Sequence, residues 1–534
     1  MPTHCIPFRD TNYFSPLICD YLDEKSALKP FYNRFPKLDN FQDQIAEKKT
    51  SFSKASRMVL VASLNEQYKT AKISPQTRKN IDALQNENTF TVTTGHQLNI
   101  FTGPLYFFYK IISTINLCEE LKAANPNHHF VPIYWMATED HDFEEINYFN
   151  FDGKKVPWNR KASGPVGELD LEGFKSVFEM FSKQLPKSKN SDKLIELFQN
   201  SYIANTNLTE ATRYLVNDLF AEFGLVILDG NDKNLKKEFI PYIKEELINQ
   251  SSFENVSKTN EKLNSLSENY KIQVNPREIN LFYIKSGLRE RIVEIDGVFQ
   301  VLETEISWNK KQLLEEVENH PERFSPNVIL RPLFQEVVLP NLCYIGGGGE
   351  LAYWFQLKSN FEAQKIPFPM LLLRNSVLLT TTKQQEKLEK LGLENKGLFL
   401  KQSDLLTKVT KDISKIKIDF SEQKEHLKKQ FEDLYQLAEQ TDKSFKGAVS
   451  AQETKQINGL EHLEKRLLKA QKRKQSDILQ RVKILQDELF PNQSLQERQT
   501  NFSSFYLEFG DQLIQQLMVN LQPLKNEFII LNLE

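Results

Sequence analysis

Residues 90–142 constrain this chain more than any other stretch. Phe90-Thr91-Val92-Thr93-Thr94 is a β-branched strand that Gly95 is expected to break. After a turn, Pro104 suits a first helical turn, where its missing N–H costs nothing. A helix is predicted from Leu105 to about Ala123, apolar over most of its surface and so well buried, and Asn125-Pro126-Asn127 ends it. Val131 to Ala137 is then a near-continuous apolar run, as in a strand covered on both faces. It runs into four polar residues, Glu139-Asp140-His141-Asp142. This is one βαβ unit with titratable groups where its second strand ends. Ligands of open α/β sheets bind outside the carboxyl ends of the strands.

The same alternation continues. Leu208, Ala211, Leu215, Leu219 and Phe223 recur at helical spacing, Gly224 stops the helix, and Leu225 to Leu228 form a buried strand. Between these units, 150–205 shows little periodicity and reads as an insertion. Residues 290–303 alternate around Asp296-Gly297, a type I′ hairpin signal. Asn341 to Ile345 is a further strand, followed by Gly346 to Gly349 and a helix opened by Glu350; Met370 to Arg374 is another strand. The fold class expected over 90–375 is α/β, with a mostly parallel sheet covered by helices. Residues 1–85 read as mostly helical.

From about 385 the chain turns highly charged, with no Pro between Pro369 and Pro491. Leu427, Phe431, Leu434, Ala438 and Phe445 form one stripe; Leu460, Leu463, Leu467, Ala470, Ile478, Val482, Leu485 and Leu489 form another. Ser450 to Glu453 matches a capping box, and a helix over 451–489 would be about 55 Å long. Two such helices joined near Gly447 predict an antiparallel hairpin. The last forty residues are expected to return to the sheet domain through Phe528 to Leu531.

Composition narrows the function classes. A net charge of −3 argues against a general nucleic-acid binder. The four cysteines have no CxxC spacing, which argues against a zinc ribbon or disulfide framework and fits a reducing cytoplasm. No apolar run is long enough for a membrane helix, and the N-terminus lacks the pattern of a secretory signal.

Three constellations can carry chemistry. In the turn from Thr94 to Pro104, Gly95 and Gly103 allow close backbone approach to an anion at a helix N-terminus, and His96 and Thr102 supply donors. An ordinary turn with a surface histidine is the plainer alternative. The tetrad Glu139–Asp142 can orient an amine, serve as acid and base, or hold Mg²⁺ through oxygen. On an extended segment Asp140 and Asp142 would share one side, and Glu139 and His141 the other. A solvated loop is the alternative there. The run Gly346 to Gly349 suits either an anion nest or close packing against the next helix. Lys110, Arg331 and Arg374 are candidate phosphate or carboxylate partners. Arg277, Arg289 and Arg291 carry less information.

The stretches TTGHQLNIFTGPLYFFYK, VPIYWMATEDHDFEEIN, FGLVILDG, NPREINLFYI and SPNVILRPLFQEVVLPNLCYIGGGGELAYW resemble the BshC family, the cysteine-adding ligases of bacillithiol biosynthesis. The resemblance spans most of 90–490. It implies a Rossmann-like parallel sheet core (1–385) with inserted connecting segments at about 147–205 and 235–330. It further implies an antiparallel α-helical coiled-coil arm (386–490) that makes a homodimer, and a segment (491–534) returning to the core. The implied reaction joins cysteine to the amine of glucosaminyl-malate. ATP is the expected energy source, through an adenylate or an acyl phosphate, and Mg²⁺ a candidate companion. Where this chain has His96 and Gly348 the family pattern has Gln and Pro, so His96 reads as a donor to substrate.

Residues and resemblance together assign catalysis to Asp140, His141 and Asp142. Substrate or nucleotide contacts fall to Thr94, Gly95, His96, Gln97, Thr102, Gly103, Lys110, Glu139, Arg331, Gly346, Gly347, Gly349 and Arg374. No residue is assigned as a metal ligand. A nucleotide-binding scaffold and a nucleotidyl transferase for another small acceptor remain as readings from other classes.

Overall fold

Long apolar runs with β-branched residues become the strands of one five-stranded parallel sheet in the computed structural model, which describes residues 3–534. In chain order the elements that frame the site are β1 (Thr89–His96), α1 (Tyr106–Ala124), β2 (His129–Met136), β3 (Val226–Asp229), β4 (Leu281–Lys285), β5 (Leu288–Ile295), β6 (Asn341–Gly346), α2 (Gly348–Phe355) and β7 (Met370–Leu373). The sheet order is β7-β6-β1-β2-β3, all parallel. From β1 the chain moves through β2 and β3 to one edge, then returns to fill the other with β6 and β7. Strand order therefore reverses between β1 and β6, and a crevice opens at such a switch point.

Contacts divide the chain into two compact units, residues 1–379 with 495–534, and residues 380–494. In the first, Phe90, Val92, Leu117, Leu121, Leu342, Ile345 and Leu372 share one core with Phe41 and Ile45 of the N-terminal helices. α1 is buried on nearly all sides because the C-terminal segment covers its outer face. Phe108 stacks on Phe502 at 4.7 Å, and Asn116 donates to the carbonyls of Met518 and Leu521.

Several expectations are corrected. Gly95 does not break β1, whose pairing continues through Gly95 opposite Trp135 and His96 opposite Met136. Residues 147–205 are not irregular: a hairpin (Tyr148–Phe151, Lys154–Pro157) and helices Phe174–Ser182 and Lys189–Phe198 build an aromatic cluster. Short elements held by Phe149, Phe181 and Phe198 around Phe101 leave no long period to read. The second insertion is a five-stranded antiparallel sheet that includes β4 and β5, with Asp296 and Gly297 both at positive φ in its hairpin. The return of the C-terminus to the sheet domain is as expected, residues 495–534 belonging to the first unit, where the strand Glu527–Leu533 pairs antiparallel with Thr3–Pro7.

In the second unit, helices Ser421–Ala438 and Lys443–Lys474 form the hairpin. Tyr435 reaches Glu453 and Lys424 reaches Glu464, so their pairing runs antiparallel. The joint lies at 439–442, where the Asp442 carboxylate caps the N–H of Phe445, and not near Gly447, which sits inside the helix. Ser450 to Glu453 is likewise helix interior. The long second helix ends at Lys474, and Ser476–Leu489 is a separate helix packing Leu479 and Val482 on Leu405 and Val409.

One buried ion pair ties the N-terminal helices to the sheet. Lys48 Nζ lies 3.1 Å from Glu336 Oε2, and both side chains are almost fully buried. The other oxygen of Glu336 accepts from Gln335 and Asn341, and Asn341 accepts from Thr93 of β1. K48M strands this carboxylate without its cation and is expected to cost about 3–5 kcal/mol. The double variant K48M/E336M should recover most of that loss. Urea unfolding followed by tryptophan fluorescence checks both, and equal losses in the two variants would contradict the assignment.

Candidate active site

The carboxyl ends of β1, β2, β6 and β7 open into a cavity of about 680 Å³, walled on its far side by β4 and β5 and the segments flanking them. Its charges are segregated, with an acidic cluster at the end of β2 and a cationic region around the β1–β6 crevice.

The acidic cluster forms because the chain turns sharply after β2. Asp140 N–H donates to Ala137 O, and Phe143 N–H to His141 O. The first insertion clamps this turn: Val166 N–H donates to Asp140 O, and Gly167 N–H to Thr138 O. Since the segment is not extended, the expected division of side chains is overturned. One ligand atom each of Asp140, His141 and Asp142 lie within 4.8 Å of one another. Glu139 points elsewhere, to the buried Lys236, which also donates to Glu322 O. Gln97 donates to Asp140 at 3.0 Å and to Glu145 at 2.8 Å, so one amide holds the catalytic candidate in place.

Arg289 of β5 enters the cluster from the opposite wall. It lies over the Phe282 ring at 4.0 Å and donates to His141 Nδ1. A guanidinium has no lone pair to offer, so Nδ1 is the acceptor and the neutral ring carries its hydrogen on Nε2. Asp142 is held above the usual carboxylate range by partial burial and by the neighbouring charge of Asp140, against the opposing pull of His141 and Arg289.

At the crevice, Lys110 is buried in α1 and donates to Gly95 O at 2.7 Å, with Glu350 at 2.6 Å. Glu350 also accepts from the Tyr344 hydroxyl and from the N–H of Gly347, which caps α2. Burial works to raise the Glu350 carboxyl, but Lys110, Gly347 and Tyr344 together bring it below its ordinary value. Burial lowers the Lys110 ammonium, and Glu350 opposes that fall. Arg374 pairs with Glu497 and Arg331 reaches Tyr353 and Gln335. Gly95 lies against this region, where a Cβ would meet the Tyr344 hydroxyl at 3.4 Å and the Arg331 guanidinium at 3.7 Å, ordinary contact distances.

Of the assigned residues, Gly95, His96, Gln97, Lys110, Glu139, Asp140, His141, Asp142, Arg331, Gly347, Gly349 and Arg374 line the cavity. Thr94, Thr102, Gly103 and Gly346 do not. Thr94 is buried and donates to Ile345 O. Phe101 inserts into the aromatic cluster and draws Thr102 and Gly103 with it, away from the strand ends; Asn501 donates to the Gly103 carbonyl. Gly346 is paired in β6. The glycine run does not form an open anion nest, since Glu350 already fills the place of an anion at Gly347. Sequence reasoning passed over Glu350 and Tyr344 as site residues and gave little weight to Arg277, Arg289 and Arg291, all of which line the cavity. The available signal was Arg289-x-Arg291 on an alternating strand, which puts both on one face.

Comparison with known proteins agrees with this architecture. The model for "Bacillithiol biosynthesis BshC, N-terminal Rossmann-like domain" matches residues 1–375, and that for the "C-terminal coiled-coil domain" matches residues 377–533. The chain belongs to the BshC family. It is 58% identical over 533 residues, the full length of both chains, to a protein of Flavobacterium johnsoniae named "Putative cysteine ligase BshC". A protein of the same name from Christiangramia forsetii is 57% identical over 99% of each chain. One from Bacillus thuringiensis subsp. konkukian is 27% identical, covering 94% of this chain and 95% of its own. Family membership makes this an enzyme of the ligase class with a Rossmann-like core and a coiled-coil domain. No helix among the described residues is long and apolar enough to cross a membrane.

His96 supplies a measurable consequence. Burial, then the charges of Lys110 and Arg374, push its imidazole well below 6.5, so it stays neutral in the folded protein. Below about pH 6.5 the unfolded chain takes up a proton here that the folded chain refuses. Stability therefore falls as pH drops, by up to about 1.4 kcal/mol per unit from this one group. H96Q should lose stability less steeply between pH 6.5 and 5. Urea midpoints at the two pH values test this, and identical slopes would rule it out.

Proposed function

We propose that the chain joins cysteine to the amine of glucosaminyl-malate, with ATP activating the cysteine carboxyl. The observation that carries this reading is the segregation of charge in one cavity: carboxylates suited to an amine at the end of β2, cations suited to phosphate at the β1–β6 crevice. The names of the relatives supply the cysteine.

An amide forms when the amine lone pair attacks a carboxyl carbon whose oxygen has become part of a leaving group. An adenylate, releasing pyrophosphate and then AMP, or an acyl phosphate, releasing ADP and then phosphate, satisfies this requirement. Lys110, Arg331 and Arg374 oppose the charge of the phosphates. Asp140, fixed by Gln97, orients the amine. Asp142, with its raised carboxyl pKa, takes the ammonium proton. His141, with Nδ1 occupied by Arg289, presents an Nε2–H donor to the acceptor's oxygens.

Although Asp140, His141 and Asp142 come together, the cluster does not suit a divalent cation, because Arg289 already supplies its compensating charge. Mg²⁺ enters as the counter-ion of ATP, with no ligand from this chain. The same reading sets the protein in the cytoplasm, with its four cysteines as free thiols. It also makes the protein a homodimer through the arm, where Leu434, Leu437 and Leu463 are exposed by 40–53%.

Purified protein with cysteine, glucosaminyl-malate and ATP–Mg²⁺ should give the amide by mass spectrometry. D140N and D142N should lower its rate by about 10²–10⁴-fold. Bound nucleotide without amide from any amine acceptor would instead favour the scaffold reading. For the arm, L434E/L437E/L463E should sediment as a folded monomer; a variant that remains dimeric would refute that role.

A further inference from the structure

Arg289 and Arg291 stand two residues apart on β5, so they share one face of the strand about 7 Å apart along it. Arg289 is engaged by His141 and the surrounding carboxylates. Arg291 faces the same cavity beside Arg277, from the segment leading into β4. Among the described residues neither Arg277 nor Arg291 has a carboxylate within ion-pair distance. Burial lowers the Arg291 pKa and the charge of Arg277 lowers it further, with Glu278 opposing both. Two neighbouring forks of N–H donors with no carboxylate at ion-pair distance match a pair of carboxylates geometrically. Asp140 and Asp142 provide the opposite charge beside Arg289, one step along β5 from Arg291.

We propose that Arg277 and Arg291 bind the carboxylates of the acceptor, and that the spacing along β5 seats its amine on Asp140 and Asp142. The inference rests on the ligase reading and names the subsite that would make the acceptor an amino sugar bearing an acidic aglycone. It assigns to the second insertion the choice of acceptor. A nucleotide phosphate shares the same anionic chemistry, and the test separates the two.

Full-length R277Q and R291Q should raise KM for glucosaminyl-malate by about 10- to 100-fold, leaving KM for ATP and for cysteine unchanged. R291K, which keeps the charge, should recover part of the loss and serves with thermal melting as a check on folding. Methyl glucosaminide, an acceptor without carboxylates, should be used equally by wild type and variants. Malate alone, titrated calorimetrically without turnover, should bind wild type and lose at least tenfold in affinity in R277Q and R291Q. A rise in KM for ATP instead would reassign the pair to phosphate. An unmoved acceptor KM, or malate binding equal in wild type and variants, would overturn the proposal. Variant-sensitive malate binding by a wild-type protein that makes no amide would keep the carboxylate site while removing the ligase reading.

Discussion

The geometry of the strand ends depends on the carboxylate of Glu350. It takes hydrogen bonds from the Gly347 N–H, the Tyr344 hydroxyl and Lys110, while Lys110 also holds the Gly95 carbonyl. One side chain thus links β1, α1, β6 and α2 at the point where strand order reverses. Four glycines before a helix invite an external anion, but here the helix supplies its own. The dipole and free N–H of Gly347 are spent on structure, and the guanidinium groups of Arg331 and Arg374 are the cations that line the cavity here. A buried lysine would be costly alone; the partly exposed Glu350 carboxylate at 2.6 Å offsets that cost.

The acidic cluster follows the opposite logic, because it draws its support from outside the sheet. The first insertion clamps the turn through Val166 and Gly167, and the second brings Arg289 to His141. Without Arg289, the two carboxylates beside the imidazole, Asp140 and Asp142, would repel each other and splay. With it, the ring is fixed in one tautomer and the carboxylates remain close. The insertions are therefore parts of the cavity and not ornaments on a Rossmann-like fold.

The parallel sheet was legible because its strands are continuous apolar runs bounded by Gly, Pro and Asn, a signal that tertiary contacts reinforce. The acidic tetrad was legible for the same reason, as polar residues abruptly following a buried strand. What escaped depended on distant partners. Phe101 is an unremarkable residue in a turn until Phe149, Phe181 and Phe198 enclose it, and that enclosure carries Thr102 and Gly103 away from the cavity. Arg289 and Arg291 look like the charged face of an ordinary strand, and only the placement of the second insertion turns that face inward. In the arm, Gly447 suggested a break, yet a capping Asp442 five residues earlier starts the helix, and one interior glycine costs too little, about 1 kcal/mol, to stop it.

Charge segregation has a consequence for amide formation itself. In water an ammonium and a carboxylate meet as a salt, the unreactive form of both partners. A site that joins them must remove a proton from the first and negative charge from the second before they meet. On the proposed reading these two tasks fall to separate places in the cavity: a carboxyl with raised proton affinity, Asp142, on one side, and guanidinium and ammonium groups on the other. Were the two regions merged, the cations would lower the Asp142 pKa and weaken it as a base, while the carboxylates would neutralise the groups meant for phosphate. Arg289 is a cation inside the acidic region; stacked over Phe282 it pulls the Asp142 pKa down, and partial burial together with the charge of Asp140 outweighs that pull.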